Sequence, residues 1–104
     1  MKLWVDDVRP APDGYIWARS TNEAIKIIKR EMYWRRLEEI SLDHDAGDYY
    51  SDGGDYIEIL NTLERWYMTS KAWFLAVPIN IHSRNPVGVE NMRRIIKRNG
   101  WKEI

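Results

Sequence analysis

Two hydrophobic periods take turns along the chain. Short apolar runs of strand length stand at Lys2–Asp6, Tyr15–Arg19 and Glu39–Asp43, with a further one inside Trp73–Ile81. Between them, apolar residues recur three and four positions apart, the spacing of a helix with one buried stripe. Ala24, Ile25, Ile28 and Met32 form the first such stripe, Ile59, Leu60, Leu63 and Trp66 or Tyr67 the second, and Val89, Met92, Ile95 and Ile96 the third. Start and stop signals frame them. Ser20-Thr21-Asn22-Glu23 matches a capping box, so a helix opens there and ends near Tyr33–Leu37. A second helix spans about Asp55 to Tyr67. Asn85-Pro86 reads as an N-cap followed by proline at the first helical position, and Asn99-Gly100 as the stop. Trp101–Ile104 is a candidate short fifth strand. Pro78 begins or interrupts the fourth, because an interior proline loses a ladder hydrogen bond.

Strands alternating with helices imply a parallel sheet. The expected architecture is a small α/β, doubly wound three-layer sandwich with flavodoxin-like strand order, formed by residues 1–104 as one domain. The first crossover, Val8–Gly14, holds two prolines and Asp13-Gly14 and is too short for a helix, so a loop is expected to take that helix's place.

Composition narrows the chemistry. The 104 residues contain no cysteine, which excludes thiol catalysis, disulfides and thiolate metal sites and suits the cytoplasm. The start of the chain does not read as a signal peptide, and no apolar run is long enough for a membrane span. Sixteen basic and sixteen acidic side chains cancel, which argues against bulk nucleic-acid binding. They are segregated, however. Ser41–Glu58 carries five aspartates and a glutamate with no lysine or arginine, which points to a cation, whereas the basic residues after Met92 suit a solvated helix face.

The candidate chemistry sits where strands end. In a parallel sheet the carboxyl ends of all strands share one edge, where ligands bind. Asp6-Asp7, Asp43-His44-Asp45 and His82-Ser83 should therefore converge. Asp6 and Asp7 suit magnesium, which takes one or two carboxylates plus water and phosphate; alone, such a pair is as readily a turn. An imidazole flanked by Asp43 and Asp45 suits acid–base work or a metal site, against the plainer reading of a polar turn. Backbone N–H groups at Asn85–Gly88 offer an anion site, with Gly88 allowing close approach and Ser83 and Arg84 pairing with phosphoryl oxygens; Asn85 as a mere cap is the competing reading. Arg9 is a substrate clamp or the counter-charge of Asp6-Asp7. Arg19 stands before a helix start. Most of the six tryptophans and six tyrosines read as filler of core or rim, with Tyr15, Tyr49 or Tyr50 available to stack on a base.

DDVRPAPDGY, LDHDAGD and INIHSRNPVG, in that order and followed by a helix carrying Met92, resemble the cyclic-phosphate processing receiver domain family. The resemblance implies a receiver-like fold and a role with cyclic nucleotides or cyclic phosphate termini. Against ordinary receivers, Asp6 and Asp7 match the metal-binding pair, Asp43 the phosphoacceptor and Ser83 the hydroxyl residue. The lysine that closes the fifth strand of receivers has no counterpart, since Lys102 stands near that strand's start, and His44 and His82 are not receiver features. These departures favour hydrolysis over phosphorelay. The expectation is a phosphoesterase assisted by Mg²⁺ or Mn²⁺, held by Asp6, Asp7, Asp43 and Asp45, with His44, His82 and Asp43 catalytic. Arg9, Ser83, Asn85 and Gly88 would hold phosphate. The partner would be a small-molecule or terminal cyclic phosphate. Alternatives are a signalling module phosphorylated on Asp43 and a non-catalytic nucleotide binder.

Overall fold

A computed structural model describes residues 1–69 and 77–104. Four parallel strands, β1 (Lys2–Val5), β2 (Tyr15–Ala18), β3 (Glu39–Leu42) and β4 (Ile79–Ile81), form one sheet in the order β2-β1-β3-β4. Among the described residues three α-helices, α1 (Thr21–Tyr33), α2 (Ile57–Thr69) and α3 (Pro86–Arg98), follow β2, β3 and β4. The chain is α/β with a receiver-like parallel sheet, as the alternation of periods implies. The fourth-strand run is a strand over Ile79–Ile81; its portion from Trp73 to Ala76 lies outside the described residues. The expected fifth strand is a single parallel bridge, Ile79 to Glu103, closed by hydrogen bonds from Ile79 N to Lys102 O and from Ile104 N to Ile79 O.

The caps work much as their residue types require. Ser20 Oγ accepts from Glu23 N at 3.1 Å, and the Glu23 carboxylate accepts from Arg19 N at 2.7 Å, one residue earlier than a standard box. Asn85 Oδ1 accepts from Gly88 N at 3.1 Å at the start of α3.

Period-two alternation decides which face each strand residue serves. Leu3, Val5, Ile40, Leu42 and Ile79 are fully buried in one core with Ala24 and Ile28 of α1, Ile59 and Leu60 of α2, and Met92 and Ile96 of α3. Right-handed crossovers that step in one direction along the sheet put these three helices side by side on one face, and α2 touches both α1 and α3. The other parity, Trp4, Ser41 and Asn80, stands in register across the opposite face. There the 6–14 segment, which holds bends and turns, lies over the sheet, with the Trp4 indole N–H donating to Arg9 O at 2.9 Å and Trp17 to Asp6 O at 2.8 Å.

Candidate functional site

Val5, Leu42 and Ile81 end their strands in register, so the next residues, Asp6, Asp43 and His82, emerge level at one edge. Ladder bonds continue just past the strands: Asp43 N donates to Val5 O at 2.9 Å and His82 N to Leu42 O at 2.8 Å. The edge opens into a cleft of about 450 Å³. Asp6, Asp7 and Arg9 line it from the first loop, Asp43 and Asp45 from the second, and Ser83, Arg84 and Asn85 from the third.

Asp6 and Asp7 part company at the strand end. Asp6 is buried, its Oδ1 accepting from Val8 N at 2.9 Å and Arg9 N at 2.8 Å. Its Oδ2 accepts from Arg9 Nε and bonds His82 Nε2, both at 3.0 Å. Burial works to raise its pKa, but the two backbone bonds, His82 and the Arg9 charge outweigh it and hold the carboxyl below its ordinary range. Four partners use the lone pairs a carboxylate offers. Asp7 instead turns toward the loop after β3: a Cβ at Gly47 would lie 2.2 Å from Asp7 Oδ2. Gly47 has φ +55°, so glycine suits the position twice over, in backbone and in space. Burial first, then the charges of Asp6 and Asp43, push the Asp7 carboxyl up. Donor atoms of Asp6, Asp7 and Asp43 lie within 4.8 Å of one another, as do those of His44, Asp45 and Asp55.

Arg9 is bound within the protein. Its guanidinium holds Asp6, donates to His82 O at 2.8 Å and stands 3.9 Å from Asp43 Oδ1. This arrangement makes Arg9 a counter-charge to Asp6 and Asp43 while its side chain still lines the cleft. Arg19 donates to Asp7 O at 3.0 Å while stacking on Trp17 and Tyr49, so it braces the loop from outside.

The two imidazoles are held differently, and neither lines the cleft. His82 lies flat on Trp4, ring centroids 3.7 Å apart and planes 4° from parallel. Its Nδ1 meets Ser41 Oγ at 2.7 Å and its Nε2 meets Asp6, so both ring nitrogens are engaged. Burial, partly opposed by Asp6, lowers its pKa. His44 bonds Asp45 Oδ1 through Nδ1 at 2.8 Å, and its Nε2 has no hydrogen-bond partner among the described residues. Its ring lies against the first turn of α3, where a Cβ on Gly88 would come 2.4 Å from His44 Cγ. The space over Gly88 thus belongs to the His44 ring, where the sequence suggested an approach for phosphate. Asn85 is occupied too: Oδ1 caps the helix, and Nδ2 reaches Asp45 Oδ1 at 3.3 Å. Ser83 Oγ accepts from Asn85 N at 3.1 Å, and Arg84 is exposed at the rim.

Several contributors were absent from the sequence reading. Trp4, Trp17, Ser41 and Asn80 brace the first loop and His82, and buried Tyr56 donates to Arg19 O at 2.7 Å. Alternation carried part of this signal, because Trp4 and Asp6, like Asn80 and His82, stand two apart and share a face.

The family model for the cyclic-phosphate processing receiver domain matches residues 1–98. Comparison with curated proteins and with solved structures gives no match. Among the described residues, no helix is long and apolar enough to cross a membrane.

Proposed function

The chain belongs to the cyclic-phosphate processing receiver domain family, and from that premise we propose that it is a metal-assisted phosphoesterase acting on a cyclic nucleotide or a terminal cyclic phosphate. The observation that supports this reading best is the meeting of Asp6, Asp7 and Asp43 with Ser83 and Arg84 around one open cleft. Crowded carboxylates facing a single internal guanidinium suit a hard divalent cation such as Mg²⁺ or Mn²⁺. Asp7 and Asp43 are its natural ligands, since the lone pairs of Asp6 are already taken; Asp45 stands farther round the rim. When bound, such an ion offsets negative charge on phosphoryl oxygens.

The protein's own groups supply the rest. Ser83 Oγ already accepts from Asn85 N, which leaves its O–H to donate to a non-bridging oxygen. Arg84 adds charge at the mouth. His44 stands behind the lining rather than in it, but it bonds Asp45 at the cleft wall and is free at Nε2, so of the two imidazoles it is the one able to relay a proton to or from the reacting ester. Asn85 and Gly88 serve this group by seating the His44 ring. The test is incubation of the pure protein with Mg²⁺ or Mn²⁺ and a panel of cyclic nucleotides and 2′,3′-cyclic phosphate ends, read by phosphorus NMR. We expect ring opening, abolished in Asp43→Asn and slowed by about 10²–10⁴ in His44→Ala. Unchanged ligands across the panel would end this reading.

A second reading has its own support. One Asp43 oxygen accepts from His44 N at 2.8 Å, while its carboxylate borders the cleft where a phosphoryl donor would sit. A metal-dependent beryllium fluoride adduct at Asp43, with no turnover of cyclic phosphates, would select it.

A further inference from the structure

Behind the cleft runs a line of side chains that contact one another and reach the open space only at the Asp6–Arg9 end. Asn80 Nδ2 donates to Ser41 Oγ at 3.0 Å, Ser41 Oγ meets His82 Nδ1, His82 Nε2 meets Asp6 Oδ2, and Asp6 Oδ2 holds Arg9 Nε. Direction follows from the ends. The Asp6 carboxylate, held ionised by its bonds, can only accept, so Nε2 carries the hydrogen. In the neutral ring Nδ1 then accepts, and the Ser41 hydroxyl, already receiving from Asn80, donates to it. Trp4 closes one face of the imidazole and fastens Arg9 O by its indole N–H. Both ring nitrogens and one face of the ring thus have partners.

Ser41, His82 and Asp6 have the composition of a nucleophilic triad, yet Ser41 is wholly buried in the interior strand β3 and no substrate reaches it. We propose that His82, with Ser41 and Trp4, is a positioning device: it locks Asp6, and through Asp6 it aims the Arg9 guanidinium across the cleft beside Asp43. Arg9 then meets an incoming phosphate already oriented, without first giving up the entropy of a mobile side chain. His82 moves no proton in the reaction. The catalytic consequence rests on the phosphoesterase reading; the locking itself does not.

Two measurements separate those parts. The first is exchange of the Arg9 Nε–H proton in ¹⁵N-labelled protein, assigned by its loss in Arg9→Lys. We expect a slowly exchanging signal in the wild type and in His44→Ala, and acceleration of at least tenfold in Ser41→Ala, with Ser41→Thr restoring protection. Equal exchange in the wild type and Ser41→Ala overturns the proposal. The second is the pH profile of cyclic phosphate turnover. His82→Gln and Ser41→Ala should each lower kcat about tenfold with KM little changed and both limbs of the profile kept. A limb lost in His82→Gln makes His82 a proton carrier and overturns the proposal. Should the wild type turn over no cyclic phosphate, the phosphoesterase reading fails, and Arg9 exchange alone decides the lock.

Discussion

Two histidines with similar sequence neighbourhoods are held differently, and bonding rather than exposure separates them. The side chain of His82 is 10 % exposed and bonded at both nitrogens, so charging it requires giving up the hydrogen bond that the Ser41 hydroxyl donates to Nδ1 and desolvating a cation. Its folded-state pKa lies below the ordinary 6.5 because of that burial. Unfolded chains therefore bind a proton first, and the stability His82 contributes is complete above about pH 6.5 and is lost as pH falls toward the folded value. We expect the urea midpoint of the wild type to drop between pH 7.5 and 5, and the drop to be smaller in His82→Gln. Asp6 adds a second loss at lower pH, since its carboxyl is held below the usual range and must be protonated in acid. Gly88 makes a different residue-scale prediction. Alanine is ordinarily the better helix former by about 0.5–1 kcal/mol. Here the added methyl meets the His44 ring at 2.4 Å, so Gly88→Ala should displace His44 and cut turnover at least tenfold while α3 stays folded by circular dichroism.

Helices and strands were readable wherever a local signal carried them. Ser20 and Asn85 mark the starts of α1 and α3, because their side chains satisfy N–H groups of the first turn that no other backbone can reach. Replacing Asn85 by alanine should cost about 1 kcal/mol, seen in the denaturation midpoint, and should loosen His44 as well, because Asn85 Nδ2 also reaches Asp45. The convergence of Asp6, Asp43 and Ser83 was likewise legible, because parallel strands must end at a common edge. The use made of that edge was less so. Sequence spacing names neighbours along one strand but not the register between strands, and register is what sets Ser41 opposite Trp4 and Asn80. Gly88 read as space for phosphate because its real occupant, His44, comes from a loop more than forty residues away. α1 ends in the left-handed backbone of Arg35, φ +56°, a position usually given to glycine, so no stop residue announced it.

At the scale of the molecule, neutral overall charge hides a local excess of negative charge. Asp6, Asp7 and Asp43 share one corner with the Arg9 guanidinium set among them, and Asp7 bears the imbalance. Because burial and its acidic neighbours raise its folded pKa, the unfolded chain ionises Asp7 more easily than the native one does. The sign is opposite to that of Asp6. Ionised Asp7 subtracts stability above its folded pKa, and the penalty fades as pH falls through that value toward the ordinary carboxylate range. Removing the charge in Asp7→Asn should therefore stabilise the metal-free protein at pH 7, by about 1 kcal/mol, or several degrees in Tm for a chain of this size. A divalent cation would relieve the same repulsion in the wild type, and binding only to the folded state raises Tm with concentration. Thermal unfolding at rising Mg²⁺ should then show the wild type climbing and Asp7→Asn nearly flat. Parallel slopes for the two proteins would place the cation elsewhere, because a corner that is strained by its own charge must respond to whatever neutralises it.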